Sequence, residues 1–339
     1  VLMQVEQDRI VFKATDLDIE VTDHVPAQVA SKGSTTVPAH MLHDIVRKLP
    51  EGCQVVIEQT EAGIAVRAGR SRFTLQTLPE TDFPNLSAGD VTHSFALAGK
   101  DLHRLIEKAQ FAISTEETRY YLNGIYLHQA GPRPGSNKAQ LRVVATDGHR
   151  LAQVEMEMPE GADGMVGVIV PRKTVGEVTR LFGADQEIQI ELSQGKIRFT
   201  AGDVVLTSKL IDGTFPDYGR VIPQNNDKDI VIDRRDLSSA VDRVATISSE
   251  RGRAVKVSLS AGKVVLSVSN PDSGTATEEM EADYAGEALD VGANSRYLAD
   301  ILAQVAGDVV KFKLADPGSP MLISGSDEGS LYVLMPMRC

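Results

Sequence analysis

The chain has 339 residues, 42 % of them apolar, with 35 Lys and Arg against 47 Asp and Glu for a net charge of −12. That length exceeds one ordinary core, so two or three domains are expected. The acidic balance excludes a surface coated in positive charge and argues weakly against nucleic acid, but it leaves room for a local cationic face inside an acidic shell.

No run of 18 apolar residues is present, which excludes a membrane-spanning helix, and no charged-then-apolar leader precedes the first strand. Cys53 and Cys339 make no disulfide framework, and a reducing, cytoplasmic setting is expected. Many Val, Ile and Thr stretches, 28 Gly and 15 Pro read as strand-rich with frequent turns.

In chain order, Val1-Leu2-Met3-Gln4-Val5 already reads as a strand. Ala14-Thr15-Asp16-Leu17-Asp18 follows as a turn. Val37-Pro38 opens an amphipathic helix with Leu42, Ile45, Val46 and Leu49 at i, i+3, i+4 and i+7. Strands follow at Ile64 to Ala68 and Arg72 to Leu78, then Phe83-Pro84. Ser94 to Ala98 leads into a second helix type, striped by Leu102, Leu105, Ile106 and Ala109. Leu141 to Val144 ends in Ala145-Thr146-Asp147-Gly148-His149-Arg150-Leu151, a sharper form of the turn at 14–18: Gly148 takes positive φ cheaply, and Asp147 can bond the local backbone. Val170-Pro171 opens a helix with Val175, Val178, Leu181 and Phe182, and Pro is tolerated there because a first-turn N–H has no helical partner.

The series then repeats. Ile197 to Thr200, Val204 to Leu210 and Phe215-Pro216-Asp217 match the earlier strands and Phe-Pro pair, 132 residues on. Asp229 to Ile232 leads into the Leu237, Ala240, Val241, Val244 stripe. Val268-Ser269-Asn270-Pro271 is a third, diverged turn. Val291-Gly292 opens a helix with Leu298, Ile301, Leu302 and Val305, and Met321 to Ser324 and Leu331 to Met335 close the chain. Three α+β copies are therefore expected, at 1–90, 91–222 and 223–339, the first lacking about 35 residues at its start. Units with helices on one sheet face and open strand edges can join edge to edge into a closed ring.

These residues resemble the bacterial DNA polymerase III β subunit family, the β sliding clamps. The carrying segments are Ala145 to Leu151, Arg119-Tyr120-Tyr121-Leu122-Asn123-Gly124, Gly69-Arg70-Ser71-Arg72-Phe73, Thr207-Ser208-Lys209-Leu210, Phe215-Pro216-Asp217-Tyr218 and Tyr332-Val333-Leu334-Met335-Pro336-Met337-Arg338. The resemblance implies a head-to-tail homodimeric ring of three-domain chains around double-stranded DNA, with antiparallel sheets outside and helices lining the inside. It departs from the family in lacking the first strand and helix, in His40 where Arg is frequent, and in Cys339 where a large apolar residue is usual.

The resemblance further implies a non-catalytic processivity subunit without cofactor or metal. Its partners would be the DNA polymerase III catalytic subunit, the clamp loader, and other polymerases and repair proteins, captured through short linear peptides. The implied peptide pocket is Thr146, Gly148, His149, Arg150, Leu151, Pro216, Val221, Val333, Met335, Pro336, Met337 and Arg338. Methionine suits a surface that accepts several ligands, while Leu151 and Val333 read equally as core. The implied DNA contacts are Arg119, Tyr120, Tyr121, His40, Arg172 and Lys173, and two adjacent tyrosines can stack on bases, although one of them facing the core is the plainer reading. Helix cations Arg47, Lys48, Arg104, Lys108, Arg180, Arg243 and Arg296 could add sequence-independent phosphate contacts. The implied dimer contacts are Phe95 and Leu97 against Thr246 and Ile247.

Rival classes are a repeat scaffold without a DNA role and a hydrolase using Asp147 and His149 as an acid–base pair. Asp16 with Asp18, or His40 with His43, could begin a metal site, but the spacing places no third ligand. No phosphate-binding or dinucleotide glycine loop is present.

Overall fold

The computed structural model describes residues 1–86, 89–248 and 253–338; Cys339, noted above as a departure from the family, lies outside them. Strands dominate. The first set is β1 (Leu2–Val5), β2 (Arg9–Thr15), β3 (Ile19–Pro26), β4 (Gly33–Thr36), helix α1 (Ala39–Lys48), β5 (Val55–Thr60), β6 (Gly63–Ala68) and β7 (Ser71–Leu75). The second is β8 (Val91–Ala98), α2 (Gly99–Gln110), β9 (Gly124–Ala130), β10 (Gln140–Thr146), β11 (Arg150–Glu157), β12 (Val168–Pro171), α3 (Arg172–Leu181), β13 (Glu187–Ser193), β14 (Lys196–Ala201) and β15 (Val204–Lys209). The third is β16 (Lys228–Asp233), α4 (Arg234–Ala245), β17 (Ala254–Ser260), β18 (Lys263–Asn270), β19 (Gly274–Glu281), β20 (Leu289–Asn294), α5 (Ser295–Gln304), β21 (Val309–Leu314), β22 (Met321–Ser324) and β23 (Ser330–Leu334).

The alternation of apolar and polar residues decides which strand faces are buried. Along β13, Ile188, Ile190 and Leu192 are buried while Glu187 and Gln189 are exposed, and β21 alternates in the same way. The helices bury the expected stripes: Leu102, Leu105, Ile106 and Ala109 on α2, and Leu237, Ala240, Val241 and Val244 on α4. Val46 is the exception. It falls on the expected stripe of α1 but is 48 % exposed, and Leu42 and Ile45 alone are buried on that helix among the described residues. The last helix begins later than expected, because β20 runs through Gly292 to Asn294. Asn294 then caps α5 by accepting from the Arg296 and Tyr297 amides.

The chain packs into two compact units, residues 1–99 with 180–210 and residues 100–179 with 211–339. In the first, eight strands form one sheet in the order β4-β1-β2-β3-β15-β14-β13-β8, beside a three-stranded sheet β5-β6-β7. Its core gathers Met3, Val37, Leu42, Ile45, Ile64, Val66 and Leu75. In the second, eight strands run β12-β9-β10-β11-β23-β22-β21-β16, beside a four-stranded sheet β19-β18-β17-β20. Strands from two successive sequence copies are thus sewn into one sheet twice, by β3 against β15 and by β11 against β23, both antiparallel. Among the described residues each sheet ends on two edge strands, β4 and β8, β12 and β16, β5 and β7, and β19 and β20.

Candidate functional site

The turn at 146–150 is built by its own side chains. The Thr146 hydroxyl donates to the Arg150 carbonyl at 2.7 Å and accepts from the Gly148 amide at 3.1 Å. Asp147 Oδ1 accepts from the His149 and Arg150 amides at 2.9 and 3.0 Å. Gly148 has φ +87°, and a Cβ there would meet Arg119 Nη1 at 2.5 Å. Glycine is required twice over, by backbone conformation and by the guanidinium laid across it.

Arg150 is the centre of the site. Its side chain is 10 % exposed, bonded through Nε to Asp147 Oδ2 at 3.1 Å, through Nη1 to Asp300, and through Nη2 to the Phe111 carbonyl at 2.7 Å. Phe111 and Tyr297 flank it at 5.1 and 4.4 Å from their ring centroids. A buried guanidinium is tolerable only when its charge and its donors are met, and here both are. His149 stacks on Tyr297 at 6.0 Å and 21°.

The tail closes over this turn. The Met335 amide donates to the His149 carbonyl and the Met337 amide to the Gly292 carbonyl, both at 2.9 Å. Met335, Pro336 and Met337 are half-buried and Arg338 exposed. Beneath them Leu151 pairs with Val333 across β11 and β23. Both belong to a core cluster with Leu122, Val144, Ile169 and Phe215, edged by Tyr121, Tyr126, Tyr218 and Ile222. The core reading of Leu151 and Val333 therefore holds, since both are buried in that cluster. Pro216 and Val221 stand exposed on the segment whose Phe215 and Ile222 reach that cluster.

The remaining expectations divide. Tyr121 packs on the core cluster, whereas Tyr120 is 53 % exposed and meets Tyr121 edge-on at 5.8 Å. His40, Arg172 and Lys173 are exposed at the first turns of α1 and α3. Arg119 is committed elsewhere: it pairs with Glu116, holding that carboxyl below its usual range, and donates to the Asp147 carbonyl at 3.0 Å. Its guanidinium covers the turn instead of standing open for phosphate. Arg104 and Lys108 likewise pair with Asp327, at 3.5 and 2.9 Å, and bonds from Lys108, Ser330 and the Gly329 amide carry the Asp327 carboxyl well below its usual range against the opposing effect of burial. Arg243 pairs with Glu278.

Phe95 and Leu97 require a correction. They are 2 % and 3 % exposed, in the core beneath β8, so their side chains are unavailable to a second copy. Thr246 is exposed and Ile247 half-buried just past α4. The rival pair also fails to assemble: both Asp147 oxygens serve the turn and Arg150, and the His149 ring lies against Tyr297. Asp16 Oδ1 is occupied by the Asp18 and Ile19 amides. Among the described residues no three acidic, His or Cys side chains gather as a metal site. Phe111, Tyr297 and Asp300 were missed by sequence reasoning; Tyr297 and Asp300 flank the Leu298 stripe of α5, and nothing local ties them to Arg150.

Family models of the DNA polymerase III β subunit match along the chain, the N-terminal domain at residues 1–87, the central domain at 96–217 and the C-terminal domain at 219–338. The β sliding clamp of Caulobacter vibrioides is 48 % identical over 342 residues, covering all of this chain and 91 % of that protein. The Escherichia coli β sliding clamp is 37 % identical over 340 residues, covering 99 % and 91 %. The crystal structure of a sliding clamp from Bartonella birtlesii bound to griselimycin superposes with a TM-score of 0.95 at 51 % identity, covering all of this chain and 91 % of that one.

Proposed function

This chain belongs to the DNA polymerase III β subunit family, the β sliding clamps, and from that premise we propose how its own residues close the ring and hold partners. It is a non-catalytic processivity subunit made of three clamp domains. It encircles double-stranded DNA as a homodimer and tethers polymerases in replication. A tethered polymerase that lets go is recaptured at high effective concentration, so weak contacts suffice for long residence. Work on chromosomal DNA places it in the cytoplasm.

The observation that carries the closure is the sewing of successive copies. β3 takes β15 and β11 takes β23, each strand following the repeated turn. β19 follows the third turn, at Asn270, and its outer edge is open; β7 holds the place of β15 and β23 in its own copy, and its edge is open too. Pairing β19 with β7 of a second copy makes a third joint of the same kind, and doing so twice covers the outer edges of β7 and β19 in both copies. Charge supports it: Arg70 and Arg72 are exposed at β7, and Glu278, Glu279 and Glu281 lie on β19. Beside β7 an apolar groove of about 650 Å³ is lined by Pro38, Met41, Ile45, Leu49, Phe73 and Leu75, a seat for the partner copy's Ile247. Phe73, half-buried on that groove, thus takes the place of Phe95 and Leu97 in the interface.

The twelve residues around the Arg150 turn form the partner-peptide pocket, whose apolar floor buries anchors while backbone groups and Arg338 meet polar atoms. Tyr120, His40, Arg172 and Lys173 face DNA, and sequence-independent contact lets the ring slide. Retention on closed circular DNA, with release once the circle is cut, tests the ring; equal retention on both forms would overturn it. Arg72→Glu should shift the dimer to half its mass in solution, with partial return on pairing with Glu279→Arg in the other copy. An unchanged mass would sink the β7–β19 pairing.

A further inference from the structure

The wall of the pocket hangs on a histidine that the function so far leaves unused. Residues 211–227 carry Pro216 and Val221 and contain neither strand nor α-helix. They are held by a column of rings. Phe215 stacks on Tyr126 at 4.8 Å and 5°, Tyr126 on His128 at 4.5 Å and 21°, and His128 meets Tyr218 at 5.7 Å.

A hydrogen-bond relay runs alongside. His128 Nδ1 lies 2.7 Å from the Gln129 carbonyl, which can only accept, so Nδ1 carries the proton and Nε2 is the acceptor. The Tyr218 hydroxyl, 2.9 Å away, donates to Nε2. Arg142 Nη1 donates to the Tyr218 oxygen at 3.0 Å, and Glu155 accepts from Arg142 Nε at 2.7 Å and Arg133 Nε at 2.6 Å. Each polar atom has one role, and the relay is complete only when His128 is neutral.

We propose that His128 is a positioning residue for the partner-peptide pocket: as a neutral imidazole it fixes Tyr218 and the wall from Pro216 to Val221, and its protonation loosens that wall and weakens partner binding. A protonated Nε2 cannot accept, so the Tyr218 proton loses its partner and two cations come to share one phenol oxygen. The groups facing His128 are Tyr126 on its own strand, Arg142 on β10, Glu155 on β11, Arg133 in the connection before β10, and Tyr218. Burial lowers the His128 pKa and Arg142 lowers it further, against the opposing Gln129 bond and Glu155, so neutral pH keeps the relay closed.

The inference rests on the pocket reading above, and the test separates the two. Griselimycin, the ligand of the Bartonella birtlesii clamp, serves as the probe, titrated calorimetrically into the full chain at about pH 8 and about pH 5.5. The wild type should lose about fivefold in affinity on acidification. His128→Ala should bind more weakly at both values. His128→Gln, whose amide oxygen can take the Tyr218 proton, should recover most of the Ala loss and show a smaller acid effect. His149 is common to all variants, so its part cancels. Equal acid dependence in the wild type and His128→Gln overturns the proposal, and that comparison decides even where His128→Ala fails to fold. Unchanged griselimycin binding by Met337→Asp would remove the pocket itself; loss in Met337→Asp with unaltered pH profiles in the His128 variants would remove only the inference.

Discussion

The turns at 15–19 and 146–150 share one hydrogen-bond pattern and differ in what surrounds them. Thr15 Oγ donates to the Ile19 carbonyl and accepts from the Leu17 amide, and Asp16 Oδ1 accepts from the Asp18 and Ile19 amides, as at Thr146 and Asp147. Even the closing bond repeats: the Lys209 amide donates to the Asp18 carbonyl as the Met335 amide does to that of His149. The turn is therefore an architectural corner that sews one copy to the next. The second became a site because Arg150 stands where the first has Ile19, and because Phe111, Tyr297 and Asp300 receive it.

The widest separation between the corners is expected at Arg150. Arg150→Ala leaves Asp147 and Asp300 without their cation and should cost about 3 kcal/mol, read from denaturant midpoints, with loss of griselimycin binding. A loss below about 1 kcal/mol, the level of a surface pair, would show that the guanidinium is not a keystone. Next come the two aspartates. Asp16→Ala removes a cap of two amides, at about 1 kcal/mol. Asp147→Ala removes the same cap and an Arg150 contact, at about 2 kcal/mol. Equal losses would mean that Arg150 draws nothing from Asp147.

What the sequence made legible follows from period and repetition. The helix stripes, the thrice-repeated order and the Thr-Asp corner are local signals, and local structure obeys them. Partners far apart in sequence were illegible. Arg104 and Lys108 read as open helix cations until Asp327, more than 200 positions away, met them. His128 and Tyr218 carried no mutual signal. Phe73-Thr74-Leu75 and Phe95-Ala96-Leu97 share one spacing and both lie on strands that end a sheet, so alternation alone could not tell half-buried Phe73 from buried Phe95.

Within the second compact unit, two anchors should part with pH. Asp327 is depressed when folded, so its contribution is whole above its unfolded value near 3.8 and fades only as pH falls through the lower folded value. His128 is also depressed, so the sign is the same in a higher window: the unfolded chain takes the proton first, and stability falls as pH drops below about 6.5 until the folded imidazole also charges. Calorimetric melting between about pH 7 and pH 5 should therefore show a decline that His128→Gln flattens and Asp327→Asn leaves in slope. A decline indifferent to His128→Gln would assign it to other imidazoles.

The smallest effect lies at the third position of the two corners. Leu17 and Gly148 hold the same left-handed backbone, φ 79° and 87°. Glycine tolerates it; leucine does not, and Leu17 is 58 % exposed, so its side chain returns little burial for the strain. Its amide bond to Thr15 is backbone-borne and survives substitution. Asparagine enters this region more readily than leucine, so Leu17→Asn should raise stability by about 0.5 kcal/mol. Gly148→Ala should lower it by about 1 to 2 kcal/mol and displace Arg119. Opposite signs in the two thermal midpoints are the result expected of one corner made twice. A loss in Leu17→Asn would mean that the exposed leucine packs against something, and the first corner would then be more than a joint.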